Sequence, residues 1–366
     1  MKHGLSSAAV KRIAEGLGSI VENFDVIAFS RDAQKDLETL ELKARVHHII
    51  TAMEKHLPAF KHVAPALCQL PRYWNKGEPN DPLSGFAAWP IIDYVAVMGI
   101  NNPKLSFQTL ENITALFSAE FAIRPFIEKY PEQSFKQLKL WARHKEDHVR
   151  RLASEGCRPR LPWGIQLKTL VAAPAPILPI LETLKNDPSL YVRKSVANNL
   201  NDISKDHPEI VLDTLEAWHT PTTSKETLWI IRHASRTLIK QGNPRALALM
   251  GAKKALIKDN QLACPNSVIC GDVLEFSVSF TSQQQQKLVI DYAIDFLRNN
   301  NQHNRKVFKL KTISAQKGEA VSVRKSYSFK AITTRRYYTG EHRLHIQVNG
   351  EIIASADFEL EEVKTD

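Results

Sequence analysis

The spacing of apolar residues changes from a helical period to a two-residue period roughly two thirds of the way along the chain. Up to about residue 255, apolar side chains recur at intervals of three and four, for example at Leu228, Ile231, Ala234 and Leu238. After about residue 265 they alternate with polar residues, as in Leu274, Phe276, Val278 and Phe280. The first pattern is typical of amphipathic helices and the second of half-buried strands. The chain is therefore predicted to form a helical region followed by an all-β region.

A pair of an aliphatic residue and an arginine recurs in the helical region. It appears at Val149-Arg150, Val192-Arg193 and Ile231-Arg232, at intervals of 43 and 39 residues. These intervals are close to the period of HEAT-type helix pairs, roughly 40–47 residues. Such pairs bury their apolar faces by stacking into a solenoid with a concave surface. Residues 1–255 are therefore predicted to form a HEAT-like α-solenoid, in which the arginines either bond to adjacent loops or face a ligand.

The β region carries several short alternating stripes and one strong turn signal. Asn349-Gly350 separates two of the stripes and is typical of a two-residue hairpin of type I′. About seven short strands in about 100 residues indicate a sandwich of immunoglobulin type. We predict an immunoglobulin-like β-sandwich at residues 266–366, joined to the solenoid by a linker at 256–265.

Positive charge is concentrated in one part of the helical region. The formal net charge is +10, and residues 123–163 alone carry ten basic and five acidic side chains. Clustering of this kind is the expected footprint of phosphate binding. A solvated helix face gives the same signature, so charge alone leaves both interpretations open.

Several kinds of chemistry are absent from the sequence. It contains no Walker loop, GxGxxG, HExxH, GxSxG or CxxC motif, so we predict neither a cofactor nor a metal. The longest nearly apolar run, residues 170–180, has 11 residues with three prolines and is too short to cross a bilayer. There is no apolar leader segment, and the four cysteines show no disulfide pattern. We therefore expect a protein of a reducing cytosol that contacts no membrane.

Carboxylates and tryptophans lie near the predicted repeat junctions, at Glu120, Glu155, Trp163 and Asp202. Three stretches are distinctive: ASEGCRPRLPWG, which contains Glu155 and Trp163, SVANNLNDISKDHPE, which contains Asp202, and WIIRHASRTLIKQGNPRAL further along the chain. In these stretches the chain resembles the HEAT-repeat alkylpurine DNA glycosylases (AlkC/AlkD), and specifically the AlkC branch. The resemblance covers residues of about 1–255. A trailing immunoglobulin-like module occurs in some members of that branch.

The resemblance implies an enzyme of base-excision repair. Members hydrolyse the N-glycosidic bond of bases alkylated at N3, such as 3-methyladenine and 3-methylcytosine, in duplex DNA and without flipping the base. Glu120 matches the catalytic acidic residue of the family. Glu155, Trp163 and Asp202 match the other residues of its cleft. Duplex DNA with an alkylated base is the expected partner, and we expect the chain to act as a monomer. The resemblance also implies a place on the nucleoid of a bacterial-type cytosol.

These residue types suit the implied reaction. A base methylated at N3 is cationic and leaves readily, so the enzyme has to stabilise an oxocarbenium-like sugar and to position a water molecule. A carboxylate can do both, and we expect Glu120 to lie nearest the water, with Asp202 and Glu155 in support. The indole of Trp163 could stack on the sugar or on the cationic base. Taken alone, Glu120 falls in an apolar segment, residues 115–122, whose spacing predicts a helix, and from such a helix its side chain could simply face solvent.

Basic side chains at the helix N-termini of the concave face are expected to bind DNA phosphates. The candidates are Arg150, Arg151, Arg158, Arg160, Arg193, Lys194 and Arg232. No lysine is placed by the motifs for Schiff-base chemistry, so a monofunctional glycosylase without lyase activity is predicted. Two alternatives remain open, a non-catalytic DNA-binding solenoid and a protein-interaction scaffold. The basic cluster argues against the scaffold, and the set of carboxylates and Trp163 argues against the non-catalytic binder.

Overall fold

The computed structural model of the protein describes residues 2–78, 80–81, 83–332 and 335–362. The chain divides into two compact units. The first comprises Met1–His207 and Thr223–Ala234, and the second comprises Pro208–Thr222 and Ser235–Asp366. Three helices predicted as part of the solenoid therefore cluster with the strands. Leu247 and Ala252, at the end of the helical part of the chain, pack against Val289 of the sandwich. This apolar contact is the physical reason why the last helices cluster with the strands.

The described residues form α-helices in both units. They are α1 Ser7–Gly18, α2 Val26–Gln34, α3 Leu42–His56, α4 Phe60–Leu67, α5 Trp89–Met98, α6 Pro103–Ile113, α7 Arg124–Lys129, α8 Pro131–Trp141, α9 Asp147–Glu155, α10 Lys168–Ala172, α11 Leu178–Leu184, α12 Leu190–Ile203, α13 Pro208–Trp218, α14 Lys225–Ala234, α15 Arg236–Lys240 and α16 Pro244–Leu249. Short 3₁₀ helices lie at Lys2–Gly4, Leu37–Thr39, Leu70–Arg72, Ser84–Ala88 and Ala175–Ile177. Helices α13, α15 and α16 belong to the second unit.

Helices of successive predicted repeats pack on one another in the first unit, with α9 against α12 and α12 against α14. The aliphatic members of the repeated pairs, Val149, Val192 and Ile231, are at most 2% exposed. Arg150 and Arg193 each donate to two carbonyl oxygens of the preceding loop, at 2.7–3.0 Å. At these two positions the arginine of the repeat thus ties a loop to the helix that follows it, which is one of the two roles that the sequence leaves open.

The second unit contains eight strands among the described residues. They are β1 Ile257–Ala263, β2 Ser267–Ile269, β3 Val273–Ser282, β4 Gln286–Leu297, β5 His303–Ala315, β6 Ala320–Ser328, β7 Gly340–Val348 and β8 Glu351–Glu361. One sheet has the order β1-β3-β6 and the other β2-β8-β7-β4-β5. The pairs are antiparallel except for β2 with β8. The predicted fold class, helices followed by an immunoglobulin-like sandwich, is confirmed.

The apolar stripes of the sandwich face its core, and the predicted hairpin forms. The β3 stripe is at most 3% exposed at Leu274, Phe276, Val278 and Phe280. Asn349 and Gly350 both have positive φ, 47° and 82°, as a type I′ turn requires. The predicted linker 256–265 differs from the structure, because most of it forms β1. That strand pairs with β3 along residues 257–263, and its largely exposed edge position explains why it carries no apolar alternation.

Asp291 on β4 is a buried carboxyl whose environment predicts a pH-dependent stability. Burial raises its pKa to about 6, against partial compensation from Lys309 and Lys240. The folded state therefore holds this proton more tightly than the unfolded state, and stability is lost as the pH rises from about 4 to about 6. We expect Asp291→Asn to raise the free energy of unfolding by about 2 kcal/mol at pH 8, and the gain to vanish near pH 4. Urea denaturation across this pH range measures it.

Asp295, on the same strand, provides a control, because its pKa is shifted in the opposite direction. Its hydrogen bond from Arg305 lowers its pKa to about 2. The stability that it contributes is present above its unfolded pKa and is lost in acid. Asp295→Asn should therefore destabilise the protein at pH 8. A destabilised Asp291→Asn variant at pH 8 would contradict the assignment.

Candidate active site in the helical unit

Glu120 lies in a turn between two helices. Helix α6 ends at Ile113 and α7 begins at Arg124, and residues 114–123 between them are turns and bends. The helix predicted over residues 115–122 is therefore wrong. The buried Thr114 hydroxyl accepts the Ala119 N–H at 3.1 Å, and such a side-chain bond competes with helical pairing. The turn leaves the Glu120 side chain 15% exposed.

Three of the predicted site carboxylates are linked by two arginines. Arg151 donates to Glu120 Oε2 at 2.7 Å and lies 3.6 Å from Glu155 Oε1. Arg158 donates to the same Glu155 oxygen at 2.6 Å and to Asp202 Oδ2 at 2.9 Å. Glu120, Arg151, Glu155, Arg158 and Asp202 thus form one chain of alternating charge, called the acidic network below.

The packing of α9 on α12 brings this network together. Arg151 and Glu155 are four residues apart on α9 and share a helix face. Asp202 stands near the end of α12 and receives a further bond from Lys205 at 3.0 Å. Glu155 and Asp202 are nearly buried, with side chains 6% and 3% exposed. Buried carboxylates need such partners, because isolated charges are strongly disfavoured away from water.

The arginines keep their charge inside the protein. Burial acts to lower the pKa of Arg151, but the charges of Glu155 and Glu120 outweigh it and the pKa lies above its usual value. The same balance, with Glu155 and Asp202 as partners, raises the pKa of Arg158. The ring of Tyr191 covers Arg151, with 4.6 Å between the guanidinium carbon and the ring centroid. Tyr191 is 39% exposed. The sequence does not predict its part in the site, because nothing in the local pattern indicates a contact with an arginine of another repeat.

Trp163 is outside the acidic network. Its φ of +67° is in the left-handed region, which is rare for a bulky residue and marks a strained position. The Trp163 carbonyl accepts from Lys43 Nζ at 2.8 Å. The fully buried Arg124 holds the same loop by donating to three carbonyl oxygens at 2.7–2.9 Å. The indole itself is 52% exposed.

A cavity of about 220 Å³ lies beside Trp163 in the first unit. Its walls include Lys43, Trp89, Asp93, Phe121 and Trp163. Phe121 directly follows Glu120 in the sequence, but Glu120 itself is not among the residues that line the cavity. The structure therefore links the three carboxylates through Arg151 and Arg158, and it places Trp163 at a cavity beside Phe121.

The predicted DNA-contacting residues have different surroundings. Arg158 is only 7% exposed and both of its partners are internal, so its burial favours a structural role over the predicted phosphate contact. Arg150 forms a two-point pair with Asp187, and Arg160 a two-point pair with Asp206. Lys194 and Arg232 are exposed.

In the described ranges, no group of three or more His, Cys, Asp or Glu side chains could hold a metal ion. None of the described helices combines the length and the apolar character that crossing a bilayer requires.

Comparison with known proteins assigns both parts of the chain. Residues 107–238 match the family described as "DNA alkylation repair enzyme", and residues 258–362 match the C-terminal Ig-like domain of the uncharacterised protein YhaZ. The first match spans Glu120 and the whole acidic network. The helical part is therefore of the class found in DNA alkylation repair proteins.

Two relatives cover nearly the whole chain. The uncharacterized protein YhaZ of Bacillus subtilis (strain 168) is 42% identical over 328 residues, 89% of each sequence. The alkylpurine DNA glycosylase AlkC of Pseudomonas fluorescens, solved bound to DNA containing an abasic site analog, is 39% identical. Its structure matches with a TM-score of 0.89 over 98% of this chain and 99% of that one. The chain belongs to the AlkC branch of the HEAT-repeat alkylpurine DNA glycosylase family, in the form with a C-terminal immunoglobulin-like domain.

Proposed function

We propose that this protein hydrolyses the N-glycosidic bond of cationic N3-alkylated bases, such as 3-methyladenine and 3-methylcytosine, in duplex DNA. The observation that carries the proposal is the acidic network. Three carboxylates from distant parts of the sequence meet in a member of a DNA glycosylase family. Such a cluster can stabilise positive charge that develops on a sugar as its base departs.

Glu120 is proposed as the catalytic carboxylate. It has the most exposed side chain of the three, 15% against 6% and 3% for Glu155 and Asp202. Arg151 binds its Oε2 atom, so the carboxylate is held in one orientation while it attracts the oxocarbenium-like sugar and accepts a proton from the attacking water. No general acid is needed, because the leaving base is already charged.

Glu155 and Asp202 are proposed to act through their arginines. Both carboxylates are too buried to reach a sugar without rearrangement, but each binds an arginine of the network. They would fix Arg151 and Arg158 and thereby the electrostatic potential around Glu120. Trp163, half exposed at the mouth of its cavity, would stack against the sugar or the cationic base.

Duplex DNA is the proposed partner, bound by a monomer and without extrusion of the damaged base. The relative from Pseudomonas fluorescens was solved with DNA containing an abasic site analog, which supports DNA binding here. Lys194, Arg232 and Arg160 remain candidates for phosphate contacts, whereas contacts within the protein hold Arg150, Arg151, Arg158 and Arg193. Affinity should fall by about one decade per decade of salt for each phosphate neutralised.

Release of free base from a defined duplex tests this function. We expect the protein to liberate 3-methyladenine or 3-methylcytosine from a duplex with one lesion, as measured by chromatography of the free base. The DNA strand should break only after alkali, because a monofunctional enzyme leaves an intact abasic site. Strand cleavage before alkali would contradict the monofunctional assignment. Salt-sensitive binding without any base release would favour a non-catalytic DNA-binding protein, and absence of DNA binding would favour a protein-interaction scaffold.

A further inference from the structure

A single buried indole contacts the turn that carries Glu120. Trp89 begins α5 and is 3% exposed. Phe117 and Phe121 stand on either side of Glu120 in the sequence, and both of their rings pack against Trp89. The centroid distances are 5.6 Å for Phe117, in a stacked arrangement, and 5.5 Å for Phe121. The backbone of the turn is therefore held on both sides of the carboxylate by one side chain.

Asp93 fixes the orientation of this indole. Trp89 Nε1 donates to Asp93 Oδ2 at 2.7 Å, across one turn of α5. Among the residues that the structure describes, the second oxygen, Oδ1, is buried without a hydrogen-bond partner. Burial raises the pKa of this carboxyl to about 7. Burying a carboxyl costs free energy unless the group is hydrogen-bonded. The bond from Trp89 Nε1 is the hydrogen bond that offsets part of this cost for Asp93.

The turn is not helical, so contacts with other parts of the chain have to hold it in place. Arg151 binds two polar side chains of the turn, since it donates to both Ser118 Oγ and Glu120 Oε2 at 2.7 Å. That contact orients the carboxylate but does not fix the rings of Phe117 and Phe121, which are held by packing. Trp89 fills this second role. The two contacts together determine where the carboxylate stands.

We infer that Trp89 and Asp93 are positioning residues for Glu120, acting on the reaction through the turn at residues 117–121 and not by touching DNA. The inference rests on the proposed function, which makes Glu120 the catalytic carboxylate. A displaced carboxylate is expected to slow bond cleavage far more than it weakens DNA binding, because catalysis is more sensitive than binding to small errors in geometry.

The test compares two buried tryptophans that have the same kind of partner. Trp89→Phe keeps an aromatic ring but loses the N–H and part of the contact with both phenylalanines. Trp141→Phe is the matched control, because Trp141 is 1% exposed and its Nε1 donates to Glu111 Oε2 at 2.6 Å. We expect the single-turnover rate of base release to fall at least about 10-fold in Trp89→Phe. DNA affinity should stay within about twofold, and the rate of Trp141→Phe should match wild type.

A conservative change at Asp93 adds a rescue arm. Asp93→Asn keeps an oxygen that accepts the indole N–H, whereas Asp93→Leu removes it. The asparagine variant should retain the wild-type rate, and the leucine variant should lose activity as Trp89→Phe does. Equal rates for the two Asp93 variants would overturn the role of the hydrogen bond.

Hydrogen exchange provides a readout that does not depend on catalysis. Amides 118–122 should exchange faster in Trp89→Phe than in wild type, and at the wild-type rate in Trp141→Phe. Unchanged exchange would overturn the inference, and so would faster exchange with an unchanged rate of base release. If the wild-type protein released no base, the proposed function would fail on its own, while exchange would still decide whether Trp89 holds the turn.

Discussion

Replacing Glu120 by glutamine is expected to reduce base release by about 10³-fold while leaving DNA affinity close to that of the wild type. The substitution removes the negative charge but preserves the size of the side chain. Its amide oxygen can still accept the bond from Arg151 that orients Glu120. Charge stabilisation of the sugar and proton transfer from water would both be lost. Single-turnover release from a duplex bearing one 3-methylated base measures the effect.

Glu128→Gln is a suitable control for this prediction. Glu128 lies on the following helix, α7, and is exposed, so neutralising it changes the net charge by the same amount without affecting the acidic network. Its rate of base release should equal that of the wild type. A fully active Glu120→Gln variant would exclude Glu120 as the catalytic group and move that role to Glu155 or Asp202.

Apolar periodicity predicted the kind of fold but failed at the turn around Glu120. Ala119 and Ala122 are at most 1% exposed, so their spacing reports burial correctly. A turn packed against the core can bury residues three apart just as a helix does. The turn depends on Thr114 capping the Ala119 amide and on Trp89, which comes from a helix earlier in the chain. Neither contact has a signal in the local sequence.

The sequence repeat did not indicate which roles the individual arginines have. Basic clustering around α9 predicted phosphate contacts for Arg150, Arg151 and Arg158 alike. In the structure, Arg150 donates to a loop carbonyl and pairs with Asp187. Arg151 and Arg158 instead form ion pairs with the carboxylates of the acidic network. Asp202 is 44 residues from Arg158, so their pairing depends on how α9 and α12 pack. Charge counts cannot distinguish an arginine that faces a buried carboxylate from one that faces solution.

Removing Arg158 from the acidic network should have the largest effect on stability. Arg158 is 7% exposed and is bonded to both Glu155 and Asp202. Arg158→Met preserves much of the side-chain length but leaves two nearly buried carboxylates without this cation. Removing one partner of a buried ion pair typically costs about 3–5 kcal/mol. We expect a loss of that size in the free energy of unfolding, measured by urea denaturation.

Two further variants separate lost charge pairing from lost packing. Arg160→Met removes an equally close but more exposed pair, with Asp206, and should cost clearly less stability than Arg158→Met, because exposed ion pairs contribute little. Adding Glu155→Gln and Asp202→Asn to Arg158→Met removes the uncompensated charges and should restore much of the lost stability. A triple variant as unstable as Arg158→Met alone would show that the guanidinium acts through packing. The acidic network would then be a consequence of how α9 meets α12 and not a cause of it.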